Sequence, residues 1–271
     1  MDYCKDTYNK EFIERQLTKY LNSDNNFWKE KLKSIFQLTG ILSNMSILDL
    51  GCGIGTCALE YAKMGNVTFG VDFTLGAVQA GKDLVRQRGI RNCFFCVGDI
   101  SRMPIKDNMF DVIIASDIVE HLTPEALNKT LAECKRILRS GGKLFIYTWP
   151  TKYYHIFGSK AFLPFILPFF WFPKRFFKKY IEFLFSYPVQ FYYKIRKGKA
   201  LNEIMKQSNH PGLLLKDILK ESLLNQNFMV IDIYVKNLYE QIGKINKLII
   251  HIFFNNCEYA KDGLFAICEK I

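Results

Sequence analysis

Short apolar runs alternate with longer two-sided segments along most of this chain. The runs are rich in β-branched and aromatic residues and predict strands, whereas the two-sided segments carry apolar side chains at helical spacing. The predicted strands are 46–50, 67–72, 93–99, 110–117, 143–150, 229–235 and 263–271, and the predicted helices are 57–65, 75–89, 125–142 and 212–228, with 242–255 as a further helix or a strand. This order predicts an α/β fold: a seven-stranded, mostly parallel sheet with helices on both faces.

Two stretches interrupt the alternation. Residues 1–45 contain FIERQLTKYL and FWKEKLKSIFQL, whose apolar positions have helical spacing, and they predict an N-terminal helical arm. Residues 152–210 follow the fifth predicted strand and predict a helical cap inserted into the domain. We therefore expect an arm at 1–45 and one domain at 46–271 that carries this insert.

The first strand ends in a glycine-rich turn, ILDLGCGIGTCALEYAKMG, at residues 47–65. A turn between the first strand and helix of a doubly wound sheet is where nucleotides bind. The dinucleotide pattern G-x-G-x-x-G places Thr56 where its third glycine belongs, whereas this chain has Gly51, Gly53 and Gly55. That departure disfavours NAD, and the absence of a following Lys-Ser/Thr pair excludes a P-loop.

Three aspartates point to the ligand more directly. Asp72 ends the second predicted strand, where a carboxylate accepts hydrogen bonds from both hydroxyls of an adenosine ribose. Asp99 follows the third strand, where a carboxylate can meet an adenine amino group. Asp49 precedes the glycines, where an acid can organise the turn and offset a cationic ligand.

Four motifs in register carry a family resemblance: LDLGCGIGT, GVDFT, VGDISRMPIKDNMFDVIIASDIVEHL and LAECKRILRSGGKLFIYT. The stretch from residue 47 to 149 resembles the class I S-adenosylmethionine-dependent methyltransferases, in the subgroup of small-molecule and lipid enzymes that includes those of quinone biosynthesis. The resemblance implies a Rossmann-like fold, S-adenosyl-L-methionine as cofactor, and methyl transfer as the activity.

The resemblance also implies roles for individual residues. Gly51, Gly53 and Gly55 would line the methionine and ribose of the cofactor, and Asp72 would bind the ribose hydroxyls with Phe73 beside the adenine. Asp99 and Ile100 would hold the adenine, and Ser116 would face the sulfonium. The alternative for each glycine is an ordinary tight turn, and the alternative for each aspartate is a helix cap or a solvated strand end.

His121 is the candidate catalytic residue. It lies just after the fourth strand, beside the expected methyl group, and could act as a base or orient the acceptor. The alternative is a histidine that starts a helix and packs near the cofactor. A base is needed only when the acceptor must lose a proton.

The eight cysteines predict reduced, mostly buried thiols rather than a metal site. Only Cys93 and Cys96 have C-x-x-C spacing, and they lie in a predicted strand, where positions three apart point to opposite faces. The first twelve residues are polar and charged and lack the apolar core of a signal peptide, so we expect a cytoplasmic protein.

The net charge of +11 is concentrated in the insert. Residues 152–200 contain ten Lys and Arg, one acid, and 18 of the 41 aromatic residues of the chain. The segment at 161–173 is too short and too rich in proline to span a bilayer, and the one at 174–186 has a cationic face and an aromatic face.

Three interpretations of the insert remain open. It is an interfacial helix on an anionic membrane surface, a lid over a large apolar acceptor, or a cap whose aromatic residues pack on the sheet. Nucleic acid is disfavoured because the pattern is amphipathic rather than groove-like. We therefore expect a methyltransferase of a hydrophobic or membrane-associated acceptor, placed in the cytoplasm or on the inner face of a membrane. The alternatives are a soluble enzyme of a polar metabolite or sugar, and a non-catalytic S-adenosylmethionine-binding protein.

Overall fold

The strands form one seven-stranded sheet in the order β3-β2-β1-β4-β5-β7-β6. The computed structural model describes residues 9–22, 40–41, 43–148, 183, 185–200, 203, 216–236 and 263–271. Strands β1 to β5 are parallel to one another, and β7 runs antiparallel to both β5 and β6. The prediction of a mostly parallel, Rossmann-like sheet is confirmed.

The strands are β1 (Ser46–Leu50), β2 (Val67–Asp72), β3 (Cys93–Val97), β4 (Phe110–Ser116), β5 (Leu138–Thr148), β6 (Phe228–Lys236) and β7 (Gly263–Lys270). The α-helices described are α1 (Lys10–Leu21), α2 (Thr56–Lys63), α3 (Leu75–Gln87), α4 (Pro124–Ile137), α5 (Gln190–Lys197) and α6 (Lys216–Asn225). A 3-10 turn covers Val119–His121 and a π-helical turn covers Phe185–Val189.

Helices cover both faces of the sheet because the central strands are apolar on both sides. Successive residues of a strand point to opposite faces. Ile47 accordingly packs with Tyr61 of α2, and Leu48 packs with Leu131 of α4 and Leu223 of α6. A strand that is buried on both faces has a nearly continuous run of apolar residues in its sequence, as β1 and β4 have.

The predicted boundary between the helix at 125–142 and the strand after it is wrong. The sequence pattern predicts a helix over 125–142, but α4 ends at Ile137 and β5 begins at Leu138. Leu138 is extended and pairs with Phe110 of β4, and its carbonyl accepts a hydrogen bond from Lys270 Nζ of β7 at 2.7 Å. These partners come from distant parts of the chain, so helical periodicity cannot reveal them.

Helix α1 is held against the domain by Tyr20. The Tyr20 hydroxyl donates to Glu60 Oε1 of α2 at 2.6 Å and accepts from Arg88 Nη1 at 3.1 Å. Burial and the neighbouring Glu60 carboxylate raise the pKa of Tyr20 well above its usual range. The Arg88 guanidinium also lies 4.9 Å from the centre of the Tyr20 ring.

Several predictions fall on residues outside the described ranges. These are the second helical segment of the arm, the proline-rich and amphipathic segments of the insert up to residue 182, and the segment at 242–255. The domain boundaries at 45/46 and 152–210 stay predictions. Within the part of the chain that the structure describes, no helix has the length and hydropathy needed to cross a bilayer.

Tyr20→Phe should lower the free energy of unfolding by about 1–2 kcal/mol, because it removes both hydrogen bonds of the hydroxyl and leaves Glu60 with one donor fewer. Equilibrium urea unfolding measures this change. Tyr187→Phe is the control, since the Tyr187 side chain is 67% exposed, and it should change stability by less than about 0.5 kcal/mol. Equal effects of the two variants would contradict the docking of α1 through Tyr20.

Candidate cofactor site

The residues singled out in the sequence come together at one edge of the sheet. The glycine turn follows β1, Asp72 ends β2, Asp99 follows β3, and Ser116 ends β4. Because parallel strands place their carboxyl ends at the same edge, these side chains surround one crevice. The turn with His121 lies at the same edge, directly after β4.

The amides of the glycine turn are already used within the protein. Gly51 N–H donates to the Val71 carbonyl at 2.8 Å, and Gly55 N–H donates to the Cys52 carbonyl at 2.8 Å. Gly53 N–H donates to Asp72 Oδ2, also at 2.8 Å. A diphosphate needs free N–H donors at such a turn, and these three amides do not supply them.

Two buried carboxylates hold the turn instead. Asp49 Oδ2 accepts from Ala58 N–H in the first turn of α2, at 3.1 Å, where the cap residue Gly55 has no side chain to do so. Asp72 holds the turn from the other side. Its Oδ2 accepts a hydrogen bond from Gly53 N–H, and its Oδ1 accepts one from Thr74 N–H at 2.8 Å. The crevice is therefore lined by negative charge, which disfavours an anionic ligand and favours a cationic one.

The three glycines have different surroundings although all have positive φ. A Cβ on Gly51 would lie 2.7 Å from Ile118 Cδ1, and one on Gly55 would lie 2.2 Å from Phe95 Cζ. A Cβ on Gly53 would meet nothing within 4 Å. Gly51 and Gly55 are thus required for packing, and Gly53 is the glycine that faces open space.

The part of the crevice that follows β2 and β3 has one acid and two apolar residues. Asp99 Oδ1 accepts from both the N–H and the hydroxyl of Ser101 at 2.8 Å, which orients the carboxyl group. Ile100 is buried, and Phe73 is 36% exposed, enough to offer a ring face to a ligand.

Two buried hydroxyls at this edge have no hydrogen-bond partner in the structure: Ser116 Oγ and Thr74 Oγ1. Buried polar atoms are nearly always hydrogen-bonded, so an unpaired one indicates a position where a ligand could supply the partner. Ser116 ends β4 and Thr74 precedes α3, so both face the crevice edge. A ligand with hydroxyl and amino groups fits these two positions.

A buried hydrogen bond fixes the turn that carries His121. Glu120 is 1% exposed, and its Oε2 accepts from Thr148 Oγ1 at the end of β5, at 2.7 Å. His121 is the next residue and is partly exposed, at the end of the 3-10 turn. The bond ties the turn after β4, which carries His121, to β5.

The cysteines of the described residues carry no chemistry at this site. None of the six forms a disulfide; Cys96 is exposed, and the others are buried: Cys52, Cys57, Cys93, Cys134 and Cys268. Burial, with Asp49 and Asp72 nearby, raises the pKa of Cys52 well above its usual value, so it is a thiol at neutral pH. Among the described residues no cluster of His, Cys, Asp and Glu could hold a metal ion.

Comparison with known proteins identifies the family of this part of the chain. Residues 47–142 match the family model described as a methyltransferase domain. The resemblance to class I methyltransferases is confirmed. The match runs from β1 into β5 and contains the glycine turn, Asp72, Asp99 and Ser116.

The relatives of this domain include methyltransferases named for a sterol and for demethylmenaquinone. A sterol 4-C-methyltransferase of Caenorhabditis elegans is 32% identical over 124 residues, 44% of this chain and 36% of that protein. A demethylmenaquinone methyltransferase of Renibacterium salmoninarum is 31% identical over 119 residues, 43% of this chain and 47% of that protein. The chain thus matches less than half the length of either relative.

A solved structure extends the likeness of the fold beyond this domain. Phosphoethanolamine N-methyltransferase 2 of Haemonchus contortus, in complex with S-adenosyl-L-methionine, superimposes with a TM-score of 0.65 at 17% identity. The match covers 98% of this chain and 58% of that one. At this identity the likeness shows the fold alone.

Sequence reasoning missed four residues that shape the site: Thr74, Ile118, Thr148 and Phe95. Thr74 and Thr148 stand inside quoted motifs, but nothing in a motif shows which hydroxyl is orphaned or which one binds a buried carboxylate. Ile118 and Phe95 matter because of what they touch, and their partners are far away in the sequence. Only three-dimensional packing could reveal them.

Gly55→Ala should destabilise the methyltransferase domain by about 2–5 kcal/mol. The residue has a φ of +79°, which costs a side chain about 1–2 kcal/mol, and its Cβ would overlap the Phe95 ring, which costs about 1–3 kcal/mol more. Urea unfolding of Gly89→Ala is the matched control, since Gly89 has a φ of +63° with nothing within 4 Å. If both variants lost the same free energy of unfolding, the Phe95 ring would not be the reason that position 55 requires glycine.

Proposed function

We propose that this protein transfers a methyl group from S-adenosyl-L-methionine to a hydrophobic small-molecule acceptor. The observation that carries the proposal is the glycine turn, whose three glycine amides are occupied and which is held by the carboxylates of Asp49 and Asp72. Such a turn suits an adenosyl ligand without phosphates and with a positive charge. S-adenosyl-L-methionine is a ligand of this kind, and the methyltransferase domain supports the choice.

The residues at the crevice fit this cofactor one group at a time. Asp72 has lone pairs left for the ribose hydroxyls, and Gly53 leaves space beside it. The second oxygen of Asp99 can accept from the adenine amino group, with Ile100 and Phe73 against the ring. Ser116 Oγ and Thr74 Oγ1 are the unpaired hydroxyls that the cofactor would satisfy. When bound, the cofactor supplies an electrophilic methyl group with a good leaving group.

The protein has three tasks in such a reaction. It aligns the acceptor with the methyl, it excludes water, and it takes a proton when the acceptor is a hydroxyl. We assign the proton to the His121 imidazole, because the Glu120–Thr148 hydrogen bond holds its turn at the crevice. Glu120 and Thr148 are therefore positioning residues in this scheme.

The hydrophobic class of acceptor has separate support. Relatives similar to this chain include methyltransferases of a sterol and of demethylmenaquinone. The aromatic insert follows β5 in the sequence, and the carboxyl end of β5 lies at the same edge of the sheet as the crevice. A bulky apolar acceptor is consistent with both observations, and a polar metabolite has no comparable support in the described residues.

Cofactor binding is tested by calorimetry with S-adenosylhomocysteine on Gly53→Ala and Gly89→Ala. Both variants bear the strain of a positive φ, so both should lose about 1–2 kcal/mol of stability. Only Gly53→Ala places a methyl group in the crevice, and it should weaken binding by about tenfold or more, which is 1.4 kcal/mol. NAD should not bind to the native protein. Tight NAD binding, or equal affinities for the two variants, would overturn the assignment.

Activity is tested with S-adenosylmethionine carrying a labelled methyl group, incubated with a lipid extract or with an aqueous metabolite extract. We expect S-adenosylhomocysteine to form and the label to enter the organic phase only with the lipid extract. His121→Ala should lower kcat by about 10²–10⁴-fold on a hydroxyl acceptor, with unchanged affinity for S-adenosylhomocysteine. Wild-type turnover by His121→Ala would remove His121 from the mechanism.

The other outcomes of the same assay separate the alternatives. Label that stays with a water-soluble product would indicate a polar acceptor and refute the hydrophobic one. Tight cofactor binding without turnover in either extract would indicate a non-catalytic binding protein.

A further inference from the structure

Four large apolar side chains form an outward-facing stripe on the segment that contains α5. Phe183, Tyr187, Phe191 and Ile195 are 52%, 67%, 67% and 69% exposed. We call these four residues the apolar stripe. Single exposed apolar residues are ordinary on protein surfaces, but a contiguous row of four marks an interaction site.

The spacing of the stripe places its members on one side of the helix. Each residue follows the previous one by four positions, so consecutive side chains are neighbours on the helical surface. The Phe183 and Tyr187 rings are in contact, with their centroids 5.5 Å apart. The π-helical turn at Phe185–Val189 winds less tightly than an α-helix, so it partly reverses the drift that a four-residue spacing has in α5.

The other side of the segment is the side that packs on the protein. Val189 is fully buried, and Tyr192 and Tyr193 are partly buried. The stripe is not the core-facing side of an amphipathic helix, so packing on the sheet does not account for it.

The charges beside the stripe have one sign. Lys194, Arg196 and Lys199 are exposed, and residues 183–202 contain no Asp or Glu. An open depression of about 500 Å³ lies along the stripe and is lined by Tyr187, Pro188, Gln190, Phe191, Lys194 and Ala200. Aromatic and aliphatic side chains thus project outward between cationic groups.

We propose that the apolar stripe and its flanking cations dock on the surface of an anionic lipid bilayer. A helix that lies in a membrane interface inserts its apolar side at the boundary of the acyl chains and places Lys and Arg among the headgroups. Phe and Tyr suit this boundary, since an aromatic ring tolerates a partly wet environment. The positive sign of the charges on α5 selects anionic lipid.

The inference goes beyond the proposed methyl transfer and does not depend on it. The stripe lies outside the cofactor crevice, and lipid docking needs no cofactor. A protein that binds bilayers without turning over substrate would support this inference and refute the proposed activity, and the reverse outcome is equally distinguishable.

Flotation of the full chain with vesicles tests the proposal. The native protein should float with phosphatidylcholine vesicles that contain phosphatidylglycerol, should float weakly with phosphatidylcholine alone, and should be released by high salt. Lys194→Gln/Arg196→Gln should lower the partition coefficient for anionic vesicles by about 25-fold, since each cation contributes about fivefold. Phe191→Ser/Ile195→Ser should lower it by at least about tenfold.

The control is Met229→Ser/Ile231→Ser, which removes two exposed apolar side chains of β6, 44% and 49% exposed. It should bind vesicles like the native protein. All variants should keep the native circular dichroism spectrum and affinity for S-adenosylhomocysteine. Failure of the native protein to bind anionic vesicles at low salt would overturn the proposal, as would equal losses in the control. Loss of a dimer in Phe191→Ser/Ile195→Ser, or preferential binding of RNA over vesicles, would assign the surface to another partner and overturn it as well.

Discussion

The close fit of one aromatic ring against three glycines is the constraint on which the cofactor site depends. Phe95 projects from β3 into a space bounded by Gly55 of the turn, Gly70 of β2 and Gly81 of α3, where a Cβ would lie 2.2, 2.5 and 3.3 Å from the ring. Protein interiors are packed too densely to absorb such overlaps. The ring thus sets how close the turn, the sheet and α3 lie to one another, and with them the position of Asp72.

That position determines the chemistry of the crevice. Because the turn lies against β2, the Asp72 carboxylate accepts a hydrogen bond from the Gly53 amide. The Val71 carbonyl accepts one from the Gly51 amide. The turn satisfies its own donors and presents carboxylates, whereas a phosphate-binding turn presents free donors. The same glycine-rich backbone can therefore serve opposite kinds of ligand, and the difference lies in which partners the amides already have.

The second functional region of the molecule follows a different principle. At the crevice, polar groups are buried and held by short hydrogen bonds. On the segment around α5, apolar groups are exposed and cations surround them. Both arrangements differ from the usual one in a folded domain, where polar groups are exposed and apolar groups are buried. Hydrogen bonds to Asp49 and Asp72 stabilise the turn and the start of α2, and Val189, at the start of α5, is fully buried. The ligands proposed above for the two regions are an adenosyl cofactor and an anionic lipid surface, respectively.

The sequence by itself determined the strand and helix order of the domain, the sheet class, the glycine turn and the acids that surround it, because periodicity and turn chemistry are local. It could not determine that Leu138 extends β5 rather than α4, since the partners Phe110 and Lys270 are distant in the chain. Nor could it separate Gly53, which faces open space, from Gly51 and Gly55, which make room for Ile118 and Phe95. Only the tertiary structure decided which backbone amides are hydrogen-bonded, which hydroxyls are left without a partner and which side of α5 faces outward. Each of these depends on contacts between elements, and the local pattern of apolar and polar residues does not encode such contacts.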